Sequence, residues 1–395
     1  MSALPTIDEP ADVTWDRMLS LFPQLEVLVG CPQEPDFHGE GDVAAHTQMV
    51  LAALAEDPRF WALDAASRSV VAAAAAFHDL GKPSTTRIED GRIRQPGHAR
   101  RGEILTRILL WDRGVPVAVR ERVASLVRFH LLPFHLLDRD DTRARLLHAS
   151  ITGDGLESLL VLAAADATGR RSDSRDELAE AVELARLLAT DHGIVDSPWP
   201  FGSDHARVQW FRRPERDPGF VPFDDTTFEV TILSGLPAGG KDHWIRHHGS
   251  DLPAVSLDHI RSELGINAGG PQGRVVAAAR EQARIHLREK RPFIWNATNL
   301  SRRIRGGIVE LALAYDARVR IVAVEAGPAT IEHRNALRDR PVPPGALARM
   351  IRSWEYPDAT EAHCVEVHSD SSDATCVPPT GSGALGAIIG SLFPR

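Results

Sequence analysis

The chain has 395 residues, more than a single hydrophobic core usually contains, which favours two domains. Hydrophobic residues make up 43% and charged residues 25%, as in folded soluble proteins, and the three cysteines include no C-x-x-C pair. The net charge of −9 gives no overall support for nucleic-acid binding, although arginines gathered in one groove could still hold an RNA or DNA end. Because the first residues do not resemble a signal peptide, we expect a cytoplasmic protein that makes no use of a membrane.

Residues 1–195 have the pattern of an all-α domain. Apolar residues recur at three- and four-residue spacing in segments 70–77, 101–111, 117–131, 156–167 and 175–189. Strand-like alternation is hard to find in this region. The pattern therefore predicts a bundle of helices.

This helical region contains a set of residues that commonly bind metal ions. The set consists of His46, His78, Asp79, His98, His130 and Asp166. The His78-Asp79 pair follows an alanine-rich helix that must be buried, and a buried ionisable pair is costly unless it is partnered or bound to metal. Lys82 and Arg170 lie three and four residues after the two aspartates, so each can neutralise a carboxylate or hold a phosphate.

The series resembles the HD phosphohydrolase superfamily over roughly residues 38–192. That superfamily is defined by a histidine, a later His-Asp pair and a final aspartate on separate helices. The resemblance implies one or two divalent transition-metal ions such as Mn²⁺, held by His46, His78, Asp79 and Asp166, with His98 and His130 completing a second site. It also implies that Lys82 and Arg170 contact the substrate phosphate. His38 and His135 are interpreted as structural or peripheral.

Residues 196–226 are rich in proline and aromatic residues, which predicts a packed connector. From residue 227 to residue 370, strands and helices alternate, as in a doubly wound parallel sheet. We predict strands at 228–233, 254–257, 292–296 and 319–325, with helices at 241–249, 273–290 and 301–315. Residues 371–395 are rich in small side chains and are expected to form a C-terminal tail.

The first strand of this region ends in a phosphate-binding loop. The loop is Gly235-Leu-Pro-Ala-Gly239-Gly240-Lys241, followed by Asp242. Backbone N–H groups of such a loop cradle phosphate oxygens at a helix N-terminus, and the lysine reaches the β- and γ-phosphates. Asp242 replaces the Ser or Thr whose hydroxyl usually binds Mg²⁺, so the metal geometry is expected to differ from the usual one.

Further candidates follow the later strands. Asp258 is placed to take a proton from an attacking hydroxyl, and Arg261 to hold an anionic acceptor. Asn299 closes the third strand. Arg334 and Arg338 lie four residues apart on a predicted helix, where nucleotide kinases carry a lid over the phosphates.

These motifs resemble the 5′-OH polynucleotide kinase branch of P-loop phosphotransferases over roughly residues 228–368. The order of the two modules resembles the bacterial HD-domain polynucleotide kinases, which are RNA end-healing enzymes. The resemblance implies a kinase that uses Mg²⁺ with ATP, GTP or another NTP, and a phosphohydrolase for 2′-phosphates or 2′,3′-cyclic phosphates. It implies Lys241 and Arg338 on the transferring phosphate, Asp258 as general base and Arg261 and Asn299 at the acceptor. A separate RNA ligase would seal the healed ends.

Two other hypotheses stay open. The chain could be a small-molecule or nucleoside kinase fused to a nucleotide phosphohydrolase. It could also be a regulator that senses nucleotides, with Asp242 having removed turnover.

Overall fold

The computed structural model describes residues 4–136, 140–267, 269–369 and 384–393. The chain divides into two compact units, one containing residues up to Pro200 together with 388–395, and the other containing Phe201–Ala387. The boundary at Pro200 lies inside the segment predicted as a connector. Most of the predicted C-terminal tail lies outside the described residues.

The first unit is helical. Its α-helices are α1 (Trp15–Leu21), α2 (Val43–Glu56), α3 (Pro58–Ala62), α4 (Ala65–Phe77), α5 (Lys82–Thr85), α6 (His98–Asp112), α7 (Val117–Phe129), α8 (Thr142–Gly153), α9 (Glu157–Thr168) and α10 (Arg175–Asp191). Short 3₁₀ helices occur at Pro10–Asp12, Pro23–Leu28 and Leu132–His135. Strands β1 (Arg87–Glu89) and β2 (Arg92–Arg94) form a small antiparallel hairpin, which the expectation of an all-α domain missed.

Helix α4 forms the centre of this unit. Its residues Ala72–Ala76 are fully buried, and the helix packs against α2, α7 and α9. Alanine side chains allow neighbouring backbones to approach closely, which brings the ends of these helices together. The start of α4 is fixed by Asp64, whose Oδ1 accepts a hydrogen bond from the Ser67 N–H at 2.9 Å.

The second unit is a three-layer α/β domain. Its strands are β3 (Phe228–Ser234), β4 (Ala254–Ser256), β5 (Phe293–Asn296), β6 (Ala317–Glu325) and β7 (Cys364–Ser369). Its helices are α11 (Asp204–Arg212), α12 (Lys241–His248), α13 (Leu257–Glu263), α14 (Gly273–Arg288), α15 (Arg302–Leu313), α16 (Pro328–Ala336), α17 (Pro344–Arg352) and α18 (Ala384–Gly390). Only the first part of α18 belongs to this unit.

The five strands form one parallel sheet in the order β4-β5-β3-β6-β7. Helices cover both faces: Val230 and Ile232 of β3 pack with α14 and α15, whereas Leu233 packs with Trp244 of α12. This confirms the predicted doubly wound sheet. Because β3 lies between β5 and β6, the loop after β3 occupies the edge where such sheets place their ligands.

Two elements of this unit were missed. Helix α11 lies within the predicted connector, and β7 adds an edge strand after the last one expected. In the described ranges, no single helix is both long and apolar enough to cross a membrane; the bent pair α8 and α9 passes that test jointly, by length and composition.

Candidate active sites

The His78-Asp79 pair lies in a tight turn between two helices. Helix α4 ends at Phe77 and α5 begins at Lys82, so residues 78–81 form the turn between them. Gly81 lets α6 approach this turn closely, because a Cβ on this residue would lie 2.1 Å from the carbonyl oxygen of His98. This close approach brings α6 against the turn and places Nε2 of His98 3.5 Å from Oδ1 of Asp79.

Three histidines are oriented in the same way by the backbone. In each, Nδ1 lies within hydrogen-bond distance of a carbonyl oxygen three residues earlier: His78 with Ala75 (2.8 Å), His98 with Gln95 (2.9 Å) and His130 with Val127 (2.8 Å). A carbonyl can only accept, so Nδ1 must carry the proton and Nε2 of a neutral ring keeps its lone pair. All three Nε2 atoms lie within 4.0 Å of the Asp79 carboxylate.

Asp79 belongs to two groups of possible metal ligands. Ligand atoms of His46, His78 and Asp79 fall within 4.8 Å of one another, and those of Asp79, His98 and His130 do the same. Among the described residues, neither Asp79 oxygen has a hydrogen-bond partner, and neither does Nε2 of His78. Lys82 Nζ lies 2.7 Å from Asp79 Oδ2 as an ion pair, and donates a hydrogen bond to Gln33 Oε1 at 2.5 Å.

Asp166 joins the first group through His46. Its Oδ1 lies 3.1 Å from Nε2 of His46, and both side chains are fully buried. Arg170, one turn later, donates hydrogen bonds to both carboxylate oxygens at 2.9–3.0 Å. Lys82 and Arg170 are therefore paired with Asp79 and Asp166, and each cation neutralises the carboxylate beside it.

The surroundings favour an ionised Asp79 and neutral rings at His98 and His130, whereas His78 shifts in the opposite direction. Burial opposes ionisation of Asp79, but Lys82 and His78 outweigh it and hold the pKa of that carboxyl well below its usual value. Burial lowers the pKa of His98, and lowers that of His130 to about 3. Burial also lowers the pKa of His78, but the charge of Asp79 outweighs it and raises the pKa above its usual value.

These residues fit a divalent metal centre. Buried carboxylate oxygens and an imidazole nitrogen that lack hydrogen-bond partners converge with neutral imidazoles whose tautomer is fixed from the far side of the ring. Neutral imidazole and carboxylate are preferred ligands of transition metals, and an outer hydrogen bond on each histidine is typical of metal sites.

One residue of this centre was missed by sequence reasoning. Glu40, in the loop before α2, lies within 2.9 Å of both His38 and His46. Neither periodicity nor a motif marks a glutamate in a glycine-rich loop, so only the fold identifies it. His38, interpreted as structural or peripheral, belongs to this outer layer.

The phosphate loop follows β3 in the second unit. The Gly235 N–H donates to the Thr298 carbonyl at 2.9 Å, and a Cβ on Gly235 would lie 2.2 Å from the Val324 carbonyl oxygen. Only glycine allows this close packing between β3 and β6. Lys241, the first residue of α12, donates from Nζ to the carbonyl oxygens of Gly235 and Leu236, both at 2.9 Å.

Charged groups from three segments surround Lys241. Burial lowers its pKa to about 8, the charges of Asp242 and Asp258 raise it, and that of Arg338 lowers it. Loop lysine, predicted base and lid arginine therefore lie within electrostatic range of one another. The fold brings these residues together from positions almost 100 apart in sequence.

Asp258 and Arg261 form an ion pair on α13, which begins just after β4. The Asp258 side chain is 76% exposed, so it is open to solvent and to an acceptor. Arg261 also donates from Nε to Gln272 Oε1 at 2.9 Å, and Gln272 in turn donates to the Gly270 carbonyl at 2.8 Å. Gln272 therefore holds the guanidinium beside Asp258 and was not predicted.

The two asparagines after β5 have different roles. Asn296 donates from Nδ2 to Asp242 Oδ1 at 2.9 Å and so fixes the unusual loop carboxylate. Asn299, predicted to bind substrate, is only 2% exposed and donates to the Leu233 carbonyl at 2.6 Å. This placement favours a structural role for Asn299 beneath the loop.

The lid arginines do not share one helix, which corrects the prediction. Helix α16 contains Arg334 but ends at Ala336, so Arg338 lies in the following loop. The side chain of Asn335 closes this loop, accepting from the Val342 N–H at 2.9 Å and donating to its carbonyl at 3.0 Å. Arg338 therefore lies in a loop that the Asn335 side chain holds closed.

Each of the two units matches the model of a known family. A family model described as the HD domain matches residues 43–168, and one described as an AAA domain matches residues 230–357. The chain thus combines a helical HD domain with a P-loop domain of parallel α/β architecture.

Several curated relatives are similar over part of their length. A multifunctional CCA protein of Laribacter hongkongensis is 33% identical over 172 residues, covering 42% of this chain and 40% of that protein. A CC-adding tRNA nucleotidyltransferase of Thermus thermophilus is 41% identical over 107 residues, covering 26% of this chain and 23% of that protein. The chain spans about two fifths or less of the length of these two relatives.

Among solved structures, a provisionally assigned kinase from Chloroflexus aurantiacus shares 15% identity with a TM-score of 0.31. The match covers 42% of this chain and 94% of that one.

Proposed function

We propose that this chain is a bifunctional enzyme that heals broken RNA ends. Its HD site removes a 2′-phosphate or opens a 2′,3′-cyclic phosphate at one end, and its P-loop site phosphorylates the 5′-OH at the other. The observation that supports this most is the presence, in one chain, of a buried histidine–aspartate centre and an Asp258–Arg261 pair beside a phosphate loop. RNA cleavage by transesterification produces both kinds of end.

In the hydrolase, the first ion would be held by His46, His78, Asp79 and Asp166, and a second by Asp79, His98 and His130. A transition metal such as Mn²⁺ supplies water activated at neutral pH and neutralises phosphoryl charge. The protein's own part is to fix these ligands: backbone carbonyls orient three imidazoles, while Lys82 and Arg170 hold the carboxylates ionised. Lys82 and Arg170 are also the residues proposed to contact the substrate phosphate.

In the kinase, the exposed Asp258 carboxylate takes the proton from the attacking 5′-hydroxyl. Arg261, held by Gln272, binds a phosphodiester of the acceptor strand. The N–H groups of Gly240 and Lys241 bind the phosphates of an ATP, GTP or other NTP donor, while the Gly239 N–H donates to the Leu236 carbonyl at 3.1 Å and shapes the loop. Lys241 and Arg338 neutralise the charge that develops on the transferred group. Mg²⁺ supplies further charge neutralisation when bound, with Asp242 beside it.

The relatives support a nucleic-acid substrate. One of them is named for adding nucleotides to tRNA, and its similarity includes 26% of this chain. DNA ends are the second candidate substrate, and the assay compares them with RNA ends. A separate RNA ligase is the partner this proposal requires.

The test is an assay of both ends on one substrate. A nicked RNA duplex carrying a 2′,3′-cyclic phosphate and a 5′-OH is incubated with γ-labelled NTP and Mg²⁺ or Mn²⁺, and a matched DNA nick is the comparison. We expect label at the 5′ end and loss of the cyclic phosphate. Label transfer only to nucleosides or metabolites would contradict the proposal, and NTP binding without any transfer would favour a nucleotide-sensing regulator.

A further inference from the structure

His46 is oriented differently from the other three histidines of the metal centre. Backbone carbonyls fix His78, His98 and His130, whereas Nδ1 of His46 faces a side chain, Oε1 of Glu40, at 2.9 Å. On the other side of the ring, Nε2 lies 3.1 Å from Asp166 and 3.9 Å from Asp79. The ring therefore stands between a glutamate on the outside and two aspartates on the inside.

The Glu40 carboxylate is almost completely enclosed, with 1% of its side chain exposed. His38 Nδ1 lies 2.8 Å from Oε1, and the Arg171 N–H donates to Oε2 at 2.9 Å. These contacts, together with the approach of His46 Nδ1 at 2.9 Å, hold the Glu40 carboxylate in a fixed position behind the His46 ring.

Glu40 also connects two distant parts of the metal centre. The Gly39 N–H donates to the Arg171 carbonyl at 2.9 Å, and the Arg171 N–H returns to Glu40. Arg171 directly follows Arg170, which binds Asp166. The loop that precedes His46 is therefore fastened to the segment that follows Asp166.

We propose that Glu40 is a positioning residue of the histidine–aspartate centre. It accepts the Nδ1–H of His46, so that Nε2 presents its lone pair beside Asp79 and Asp166, and it sets the spacing between the His46 and Asp166 segments. This inference rests on the proposed metal-dependent function. A carboxylate behind a metal-binding histidine fixes the tautomer and raises the basicity of the ring, and losing it typically weakens metal binding by about 10- to 100-fold.

The first measurement is Mn²⁺ affinity of the full-length chain, followed by electron paramagnetic resonance. Glu40→Gln keeps the shape of the side chain and removes its charge, so we expect affinity to fall by about 10- to 100-fold. His38→Gln is the matched control, since it alters the other imidazole on Glu40 and should change affinity by less than about threefold. Thermal unfolding of each variant reports whether the helical domain that contains Glu40 is folded.

The second measurement separates positioning from a merely structural role. In the metal-free chain, ¹⁵N-labelled histidines report which ring nitrogen carries the proton, with His46→Gln providing the assignment. We expect a single Nδ1–H form of His46 that is lost or mixed in Glu40→Gln, while the signals of His98 and His130 stay unchanged. Unchanged Mn²⁺ affinity or an unchanged His46 tautomer in Glu40→Gln would overturn the inference alone. A wild-type chain that binds no Mn²⁺ would overturn the proposed metal centre as well.

Discussion

The two candidate sites differ in how far the protein alone fixes their chemical groups. In the HD domain, His46, His78, Asp79 and Asp166 are at most 1% exposed and come from segments separated by up to 120 residues. In the P-loop domain, Asp242, Asp258 and Arg338 are exposed. Lys241, predicted to bind phosphate, donates its hydrogen bonds to the carbonyls of its own loop.

This difference corresponds to the ligands that the two sites are proposed to bind. A small ion gains affinity from ligands fixed before it arrives, because little ordering remains to be done on binding. A nucleotide and a nucleic-acid end are large and must enter, so their contacts lie on loops and helix starts that remain open. Substitutions in the HD domain should therefore combine loss of function with loss of stability, whereas those in the P-loop domain should affect function alone.

The largest effect is expected for Asp79→Asn. This side chain is the member shared by both groups of ligands, so end hydrolysis should fall on the order of 1,000-fold or more. The variant also leaves Lys82 without its buried partner, which typically costs about 3–5 kcal/mol of unfolding free energy. Hydrolysis of the cyclic phosphate and thermal unfolding of the HD domain measure the two effects.

Asp64→Asn is the matched control for this variant. Asp64 caps the N-terminal end of α4, whereas Asp79 follows the C-terminal end of that helix. Asparagine caps helices about as well as aspartate does. Hydrolysis should stay close to that of the parent chain. If Asp79→Asn also abolished kinase activity while Asp64→Asn did not, the two sites would not be independent, and the contrast between them would fail.

A smaller but still large effect is expected for Asp258→Asn. Asparagine can still accept a hydrogen bond from Arg261 but cannot take the proton of the hydroxyl, so phosphoryl transfer should fall by about 100- to 10,000-fold. The measurement is transfer of γ-phosphate to a 5′-OH oligonucleotide, with unfolding followed in parallel. Because the side chain is exposed, we expect no change in stability.

Glu263→Gln serves as the control on the same helix, since Glu263 is exposed and pairs only with His259 among the ion pairs described. It should leave transfer unchanged. A loss below about tenfold in Asp258→Asn would mean that the Asp258–Arg261 pair positions the acceptor without acting as the base.

The sequence predicted the fold class and most of the elements that carry the two sites. Alternating strands and helices with a glycine-rich loop are local patterns, and β3 to β6 begin and end within two residues of the expected bounds. The candidate metal ligands of the HD domain could also be selected from the sequence, because they occur as residue types beside buried helices. Roles that depend on contacts formed only in the folded chain could not be predicted in this way, and these include the roles of Glu40, Gln272 and Asn335.

Errors arose where tertiary contacts override a local pattern. Arg334 and Arg338 have helical spacing, but the bonds from Asn335 to Val342 close a loop after Ala336. Asn299 occupies the end of a strand, where substrate contacts are common, yet its amide satisfies a backbone carbonyl below the loop. Strand β7 has the alternating sequence of a strand, but only its pairing with β6 distinguishes it from an extended tail.

The smallest effect is expected for Asp242→Ser, which introduces the hydroxyl usual in phosphate loops. Asp242 is exposed, and Asn296 fixes its Oδ1, so the other carboxylate oxygen is available to Mg²⁺ or to one of its waters. Interactions of exposed charges are weak, and we expect the Mg²⁺ concentration for half-maximal kinase activity to rise by about two- to fivefold. The maximal rate should change less than this.

Asn296→Ala provides the comparison, because it releases the Asp242 carboxylate without removing it. A shift in the same direction, but smaller, would show that the position of the carboxylate matters as well as its charge. The opposite result is equally informative. If Asp242→Ser bound NTP more tightly and turned over faster, the carboxylate would be acting by repelling the polyphosphate, as expected of a regulator and not of an efficient kinase. Asp242 alone would then make the P-loop domain less active than the HD domain. The comparison between the two sites would become a comparison between a catalytic site and a nucleotide sensor.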